Sequence, residues 1–135
     1  MKKAFMIACG LSWCLSVCGM PARGMDRWAA LSLIESGNND AAVGRAGEVT
    51  RFQIKPMLWE QFCPSDELAD RTNPLLALRV ARAIMSLRCA DFERQLHRPP
   101  TDFEYYVLWN APAQVQKPAR VVAERARRFC NLVDP

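Results

Sequence analysis

Glu35 closes the stretch with the most chemical content, a short apolar segment that runs from Trp28 into Glu35-Ser36-Gly37 and is followed by a loop punctuated by Gly44 and Gly47. If residues 26–36 are helical, Trp28, Leu31 and Glu35 share one stripe, with Ile34 beside them. The carboxylate then continues an apolar face and stands in the last turn, where unpaired carbonyls carry partial negative charge. Both surroundings disfavour the ionised form, so the pKa of Glu35 is expected above that of an ordinary glutamate. A carboxylic acid that stays protonated near neutral pH is what general-acid cleavage of a glycosidic bond requires.

A second carboxylate, Glu48, follows Gly47 and has two readings. It either projects into a cleft, where it could activate water or attack a sugar, or forms a loop salt bridge with Arg45 or Arg51. Strand alternation carried back from Phe52 would turn it to the Phe52 side, away from Gln53. Gln53 and Asn110 carry amides that both donate and accept, as sugar hydroxyls and N-acetyl groups demand, although either could instead satisfy buried backbone. Tyr105, Tyr106 and Trp109 supply aromatic faces near Asn110. Tyr106 is the preferred site member, three and four residues from Trp109 and Asn110 and hence on a neighbouring part of the same helix face. Ser36 has no histidine or lysine motif nearby to activate it and reads as a helix-end hydrogen-bonding residue.

The elements that must position these groups follow from the same pattern. Gly37 offers the permissive backbone that ends the first helix, and Gly44 and Gly47 keep the loop tight. Thr50 to Ile54 alternates as a short strand or extended segment, with Phe52 and Ile54 on one face and Arg51 and Gln53 on the other. Phe52 is expected to pack beneath the site. Pro56 opens a helix to about Phe62, and Cys63 to Thr72 is a polar connection. Asn73-Pro74 starts a helix to about Leu96 that is apolar around much of its circumference, as expected of a helix enclosed by others. Thr101-Asp102-Phe103-Glu104 has capping-box spacing for a helix to about Asn110, which Pro112 ends. Pro118 is expected to open the last helix, with Val121, Val122, Ala126, Phe129 and Val133 available for packing and Arg125, Arg127 and Arg128 mostly outside. No internal repeat or second domain is visible.

Four of these segments, taken in order, resemble the successive motifs of the soluble lytic transglycosylase and goose-type lysozyme group: Glu35-Ser36-Gly37, Ala42-Val43-Gly44 with Gly47-Glu48, Gln53-Ile54-Lys55-Pro56, and Tyr106-Val107-Leu108-Trp109-Asn110-Ala111. The resemblance covers most of the chain after residue 25. The chain departs from it at Thr50-Arg51-Phe52-Gln53, where many members carry Gly-Leu-Met-Gln, and at Trp109-Asn110-Ala111-Pro112, where they carry Tyr-Asn-Ala-Gly. The resemblance implies a mainly α (α+β lysozyme-like) single small domain, with a buried central helix and at most a short strand element. It implies cleavage of the β-1,4 bond between N-acetylmuramic acid and N-acetylglucosamine, with Glu35 as acid and then base. Ser36 would shape the site, and Gln53, Tyr106 and Asn110 would contact substrate. Neither a metal ion nor an organic cofactor is expected. The partners would be peptidoglycan glycan strands and an envelope-spanning machine for which the enzyme opens the wall. Two alternatives stay open: a hydrolytic lysozyme that uses Glu48, and a non-catalytic wall-binding protein that keeps the fold.

Composition agrees with an exported chain. Residues 1–22 read as a signal peptide, with Lys2 and Lys3, an apolar run from Ala4 to Cys18, and small residues before Arg23. That run is short for a membrane span, so no stable span is expected after its removal, and the mature domain, residues 23–135, is expected in the periplasm or secreted. Lipid anchoring through Cys18 is the less favoured alternative, because Val17 precedes it where a small residue is needed. Loss of Lys2 and Lys3 leaves 16 basic against 14 acidic side chains, a net charge of +2, too small for a nucleic-acid binder. Cys9, Cys14 and Cys18 would leave with the signal. Two of Cys63, Cys89 and Cys130 could pair in an oxidising compartment. His97, the only histidine, is expected at a helix C-terminus.

Overall fold

A computed structural model describes residues 23–135, and the expected signal peptide lies outside the described residues. Five α-helices follow in order: α1 (Arg27–Ser36), α2 (Pro56–Phe62), α3 (Pro74–Leu96), α4 (Asp102–Asn110) and α5 (Arg120–Val133), with a 3-10 turn at Pro112–Gln114 between the last two. The chain is a mainly α domain whose only β pairing, among the described residues, is two isolated antiparallel bridges, Val43 to Val49 and Val49 to Ile54.

Local signals set most of the boundaries. The Asp26 side chain accepts from the Trp28 amide and starts α1, and Gly37 ends it at φ 65°, its N–H donating to the Leu33 carbonyl. Asn73 accepts from the amides of Leu75 and Leu76 at the head of α3, with Pro74 at the first helical position. Asn73→Ala is expected to destabilise the domain by about 1 kcal/mol, read as a lower urea midpoint at constant m-value. His97 terminates α3 in a left-handed conformation, φ 53°. The capping box predicted at Thr101 and Glu104 is formed in both directions, and Arg98 pairs with the same glutamate. Together these contacts hold the Glu104 carboxyl down at about 2.

Three expectations are corrected. The enclosed helix is α4, not α3: Tyr105 through Trp109 are five consecutive buried residues. By contrast α3 buries Leu76, Ala77, Val80, Ala81, Ile84, Met85 and Phe92 but leaves Leu75 and Leu87 78% and 56% exposed. An unbroken apolar run has no outer face to give to solvent, whereas the arginines of α3 keep one side wet. The last helix starts at Arg120 rather than Pro118, because Ala119 is still extended and no side chain caps the end. Cys63, Cys89 and Cys130 are all free thiols on different elements. The core joins α4 to α5, α1 and α3, with Tyr105 stacked on Phe129 and Trp28 edge-on to Phe52, Tyr105 and Trp109.

Candidate active site

Helix α1 delivers Glu35 to the wall of a cavity of about 420 Å³, where it meets Trp109 and Asn110 from the end of α4. The chain that follows α1 adds Glu48 and Gln53 to the same lining. Beneath the cavity Tyr106 is fully buried, and its hydroxyl donates to Glu35 Oε1 at 2.6 Å. Burial is the main reason the Glu35 carboxyl is raised above its ordinary value. The nearby charge of Glu48 pushes the same way, while hydrogen bonds from Tyr106 and Asn110 and the positive charge of Arg125 act against it. The upward direction is the one anticipated from the apolar stripe. The Tyr106 hydroxyl is itself raised by burial and by the adjacent carboxyl.

The segment after Gly47 is where the sequence reading departs most from the structure. Thr50 to Gln53 is a four-residue turn, not an extended strand. It is closed by reciprocal 2.8 Å hydrogen bonds between Val49 and Ile54, with the Gln53 amide reaching back to the Thr50 carbonyl. Thr50 and Gln53 have φ of 68° and 51°, a left-handed conformation that is strained for the β-branched threonine. Phe52 and Ile54 are buried and Gln53 faces the cavity, so the two-sided partition holds although a turn produces it.

Glu48 is likewise corrected. It lies on the Gln53 side, because the chain reverses at Gly47, φ 82°, before the bridge at Val49. Neither expected salt bridge forms. Arg51 pairs with Asp40, and Glu48 instead accepts from the Ala46 amide at 2.9 Å. A Cβ at Gly44 would run into Glu48 Oε2 and approach Gln53 Oε1 at 2.5 Å, so the glycine lets both side chains fold back over the loop.

The remaining site residues divide by role. Asn110 lines the cavity close enough to Glu35 to favour its ionised form, and Gln53 lines it with its amide nitrogen donating to the Thr50 carbonyl at 3.1 Å. Tyr106 stands behind the wall rather than on it, which corrects its assignment as a substrate contact, and Ser36, also off the wall, is the helix-end hydrogen-bonding residue expected. Ser36 donates to the Arg51 carbonyl at 2.8 Å and accepts from the Asn39 amide, tying the end of α1 to the strained turn. Phe52 sits beneath the site, its carbonyl accepting from Trp109 Nε1 at 3.1 Å.

Four cations lining the cavity were missed as site residues: Arg45, Lys55, Arg88 and Arg125. Two carried a signal. Arg88 lies four residues from both Ile84 and Phe92, within the buried stripe of α3, and Arg125 lies three after Val122 and four before Phe129, on the margin of the buried face of α5. Arg88 donates to the carbonyls of Leu108 and Trp109 at 2.9 and 2.6 Å, satisfying the end of α4 where Asn110 is held. Among the described residues no group of three or more His, Cys, Asp or Glu side chains is arranged to hold a metal ion, and no helix is long and apolar enough to cross a membrane. No protein-family model, no curated protein and no solved structure matches this chain.

Proposed function

We propose that this protein is an exported peptidoglycan-cleaving enzyme that cuts the β-1,4 bond between N-acetylmuramic acid and N-acetylglucosamine by a lytic-transglycosylase route. The observation that carries the reading is the half-buried Glu35, its pKa raised by burial, at the wall of an open polar cavity, where it accepts from Tyr106 and lies beside Asn110. Burial favours the protonated acid over the carboxylate. The hydrogen bonds and the charge of Arg125 favour the carboxylate once the proton has left, so one group can act first as acid and then as base.

In the first step Glu35 gives its proton to the glycosidic oxygen as the bond from that oxygen to the muramoyl C1 breaks. The substrate's own N-acetyl oxygen stabilises the oxocarbenium-like centre. In the second step the Glu35 carboxylate takes the proton of the muramoyl C6 hydroxyl, and O6 bonds to C1 to close a 1,6-anhydro ring. One carboxylate completes the cycle, and no water is consumed. Gln53 and Asn110, both lining the cavity, offer amides to the sugar's N-acetyl and hydroxyl groups.

Glu48 sustains a second reading, hydrolysis, because it lines the same cavity and its charge reaches Glu35. Product ends separate the two. Digestion of purified peptidoglycan by residues 23–135 is expected to release muropeptides with anhydro ends; reducing ends would assign water activation or nucleophilic attack to Glu48. Soluble fragments from neither route would leave a wall-binding protein.

Tyr106→Phe tests the support beneath Glu35. Loss of the hydroxyl removes a bond that favours the ionised carboxyl, so the Glu35 pKa is expected to rise further. The alkaline limb of the pH–rate profile moves to higher pH, while the maximal rate falls because the carboxylate formed after proton transfer is less stabilised. An unmoved alkaline limb would show that the limb reports another group.

A further inference from the structure

The charges of the cavity are not those of the rest of the surface. Four cations line it, Arg45, Lys55, Arg88 and Arg125, against two carboxylates, Glu35 and Glu48. Outside the cavity residues 23–135 carry twelve basic and twelve acidic side chains, six of the arginines in ion pairs, whereas none of the four cavity cations forms an ion pair among the described residues. Residues 23–135 carry only two more basic than acidic side chains, so the cavity alone holds an excess as large as that of the whole domain. Arg88 is the most telling of them. Much of it is buried, it lies over the Trp109 ring, and among the described residues its hydrogen bonds go to two backbone carbonyls and to no carboxylate. A half-buried guanidinium kept without a carboxylate retains an unneutralised charge beside the site.

We infer that the cavity is an acidic-glycan site, in which the unpaired cations bind a carboxylate carried by the sugar chain and select such strands over uncharged N-acetylglucosamine polymers. The inference rests on the proposed function and names the substrate feature that this same cavity reads. Arginine offers a planar fork of donors that matches a carboxylate, and Lys55 adds a point charge from the loop side. Glu48 within the same wall sets an upper limit on the anion, since a dianionic phosphate would meet its charge at close range whereas a carboxylate carries half as much. In peptidoglycan the matching group is the lactyl carboxylate of a muramoyl residue freed of its peptide stem or, where the stem is present and the lactyl carboxyl is an amide, a carboxylate of the stem. The lactyl group is the nearer of the two to the bond that Glu35 would protonate.

The test measures binding without turnover. Glu35→Gln protein is titrated by calorimetry with a hexasaccharide of alternating N-acetylglucosamine and N-acetylmuramic acid bearing free lactyl carboxylates. The same hexasaccharide with those carboxylates methyl-esterified and the neutral N-acetylglucosamine hexamer are titrated in parallel. The free acid is expected to bind on the order of tenfold more tightly than either neutral ligand at low salt, and the difference to collapse at high salt, where exposed charge pairs are screened. Adding Arg45→Gln and Lys55→Gln is expected to remove most of that difference, while Lys117→Gln with Arg127→Gln, an equal charge change at exposed positions outside the cavity, leaves it intact. Equal binding of acid and ester would overturn the inference and leave the cleavage reading standing. Failure to bind any of the three glycans would overturn both.

Discussion

Glu35→Gln is expected to lower peptidoglycan cleavage by ~10²–10⁴-fold while making the fold more stable at neutral pH. The amide has nearly the shape of the carboxyl and can still accept from Tyr106, so the loss falls on proton transfer and not on architecture. The gain in stability follows from the raised pKa. The fold favours the protonated carboxyl, so that contribution is complete below the unfolded-state value, about 4.5, and is lost as pH rises through the higher folded-state value. At neutral pH the wild-type chain therefore buries a carboxyl against its tendency to ionise, and the glutamine does not. The Tm of the variant is expected to exceed that of the wild type at pH 7 and to converge with it under acidic conditions. A variant less stable at pH 7 would place Glu35 among the structural carboxylates. Such opposition between stability and activity is common where a site holds a group in an unfavourable state.

Phe129→Ala is expected to cost ~3–5 kcal/mol. The ring is fully buried, stacked on Tyr105 with centroids 6.0 Å apart and tilted against Tyr106 at 5.7 Å. It joins α5 to the enclosed helix α4 and backs the tyrosine that holds Glu35. Against a total stability of ~5–15 kcal/mol for a domain of this kind, the loss threatens folding at physiological temperature, with a Tm decrease of roughly 15 °C or more. The urea midpoint should fall without a change in m-value. A cost below ~1 kcal/mol would mean that α4 and α5 are not packed through this ring.

The elements with chemical punctuation were legible. Asp26 and Gly37 bound α1, Asn73-Pro74 starts α3, and the Thr101–Glu104 box starts α4. Each boundary depends on hydrogen bonds made within a few residues, so sequence neighbours carry the information. The upward displacement of the Glu35 carboxyl was legible for a related reason, because its spacing from the buried Leu31 places it on the inward face of α1. The strained turn was not. Left-handed backbone at Thr50 runs against the preference of a β-branched residue and exists because the Val49–Ile54 bridge holds both ends of the turn and the Ser36 hydroxyl holds the Arg51 carbonyl within it. The orientation of Glu48 depends on that turn, which is why alternation pointed it the wrong way. The cavity cations come from the connection between α1 and α2 and from two helices distant in sequence, so only Arg88 and Arg125, set in or beside apolar stripes, betrayed themselves locally. The role of Tyr106 was half legible: helix spacing put it beside Asn110, but only the packing of α1 against α4 shows it under Glu35 and not on the cavity wall.

The most direct measurement is muropeptide release from purified peptidoglycan by residues 23–135 and by the Glu35→Gln variant, side by side at matched folding and followed by mass spectrometry. The account predicts soluble fragments with 1,6-anhydro ends from the wild-type protein and essentially none from the variant. Release at an unchanged rate by the variant would contradict it.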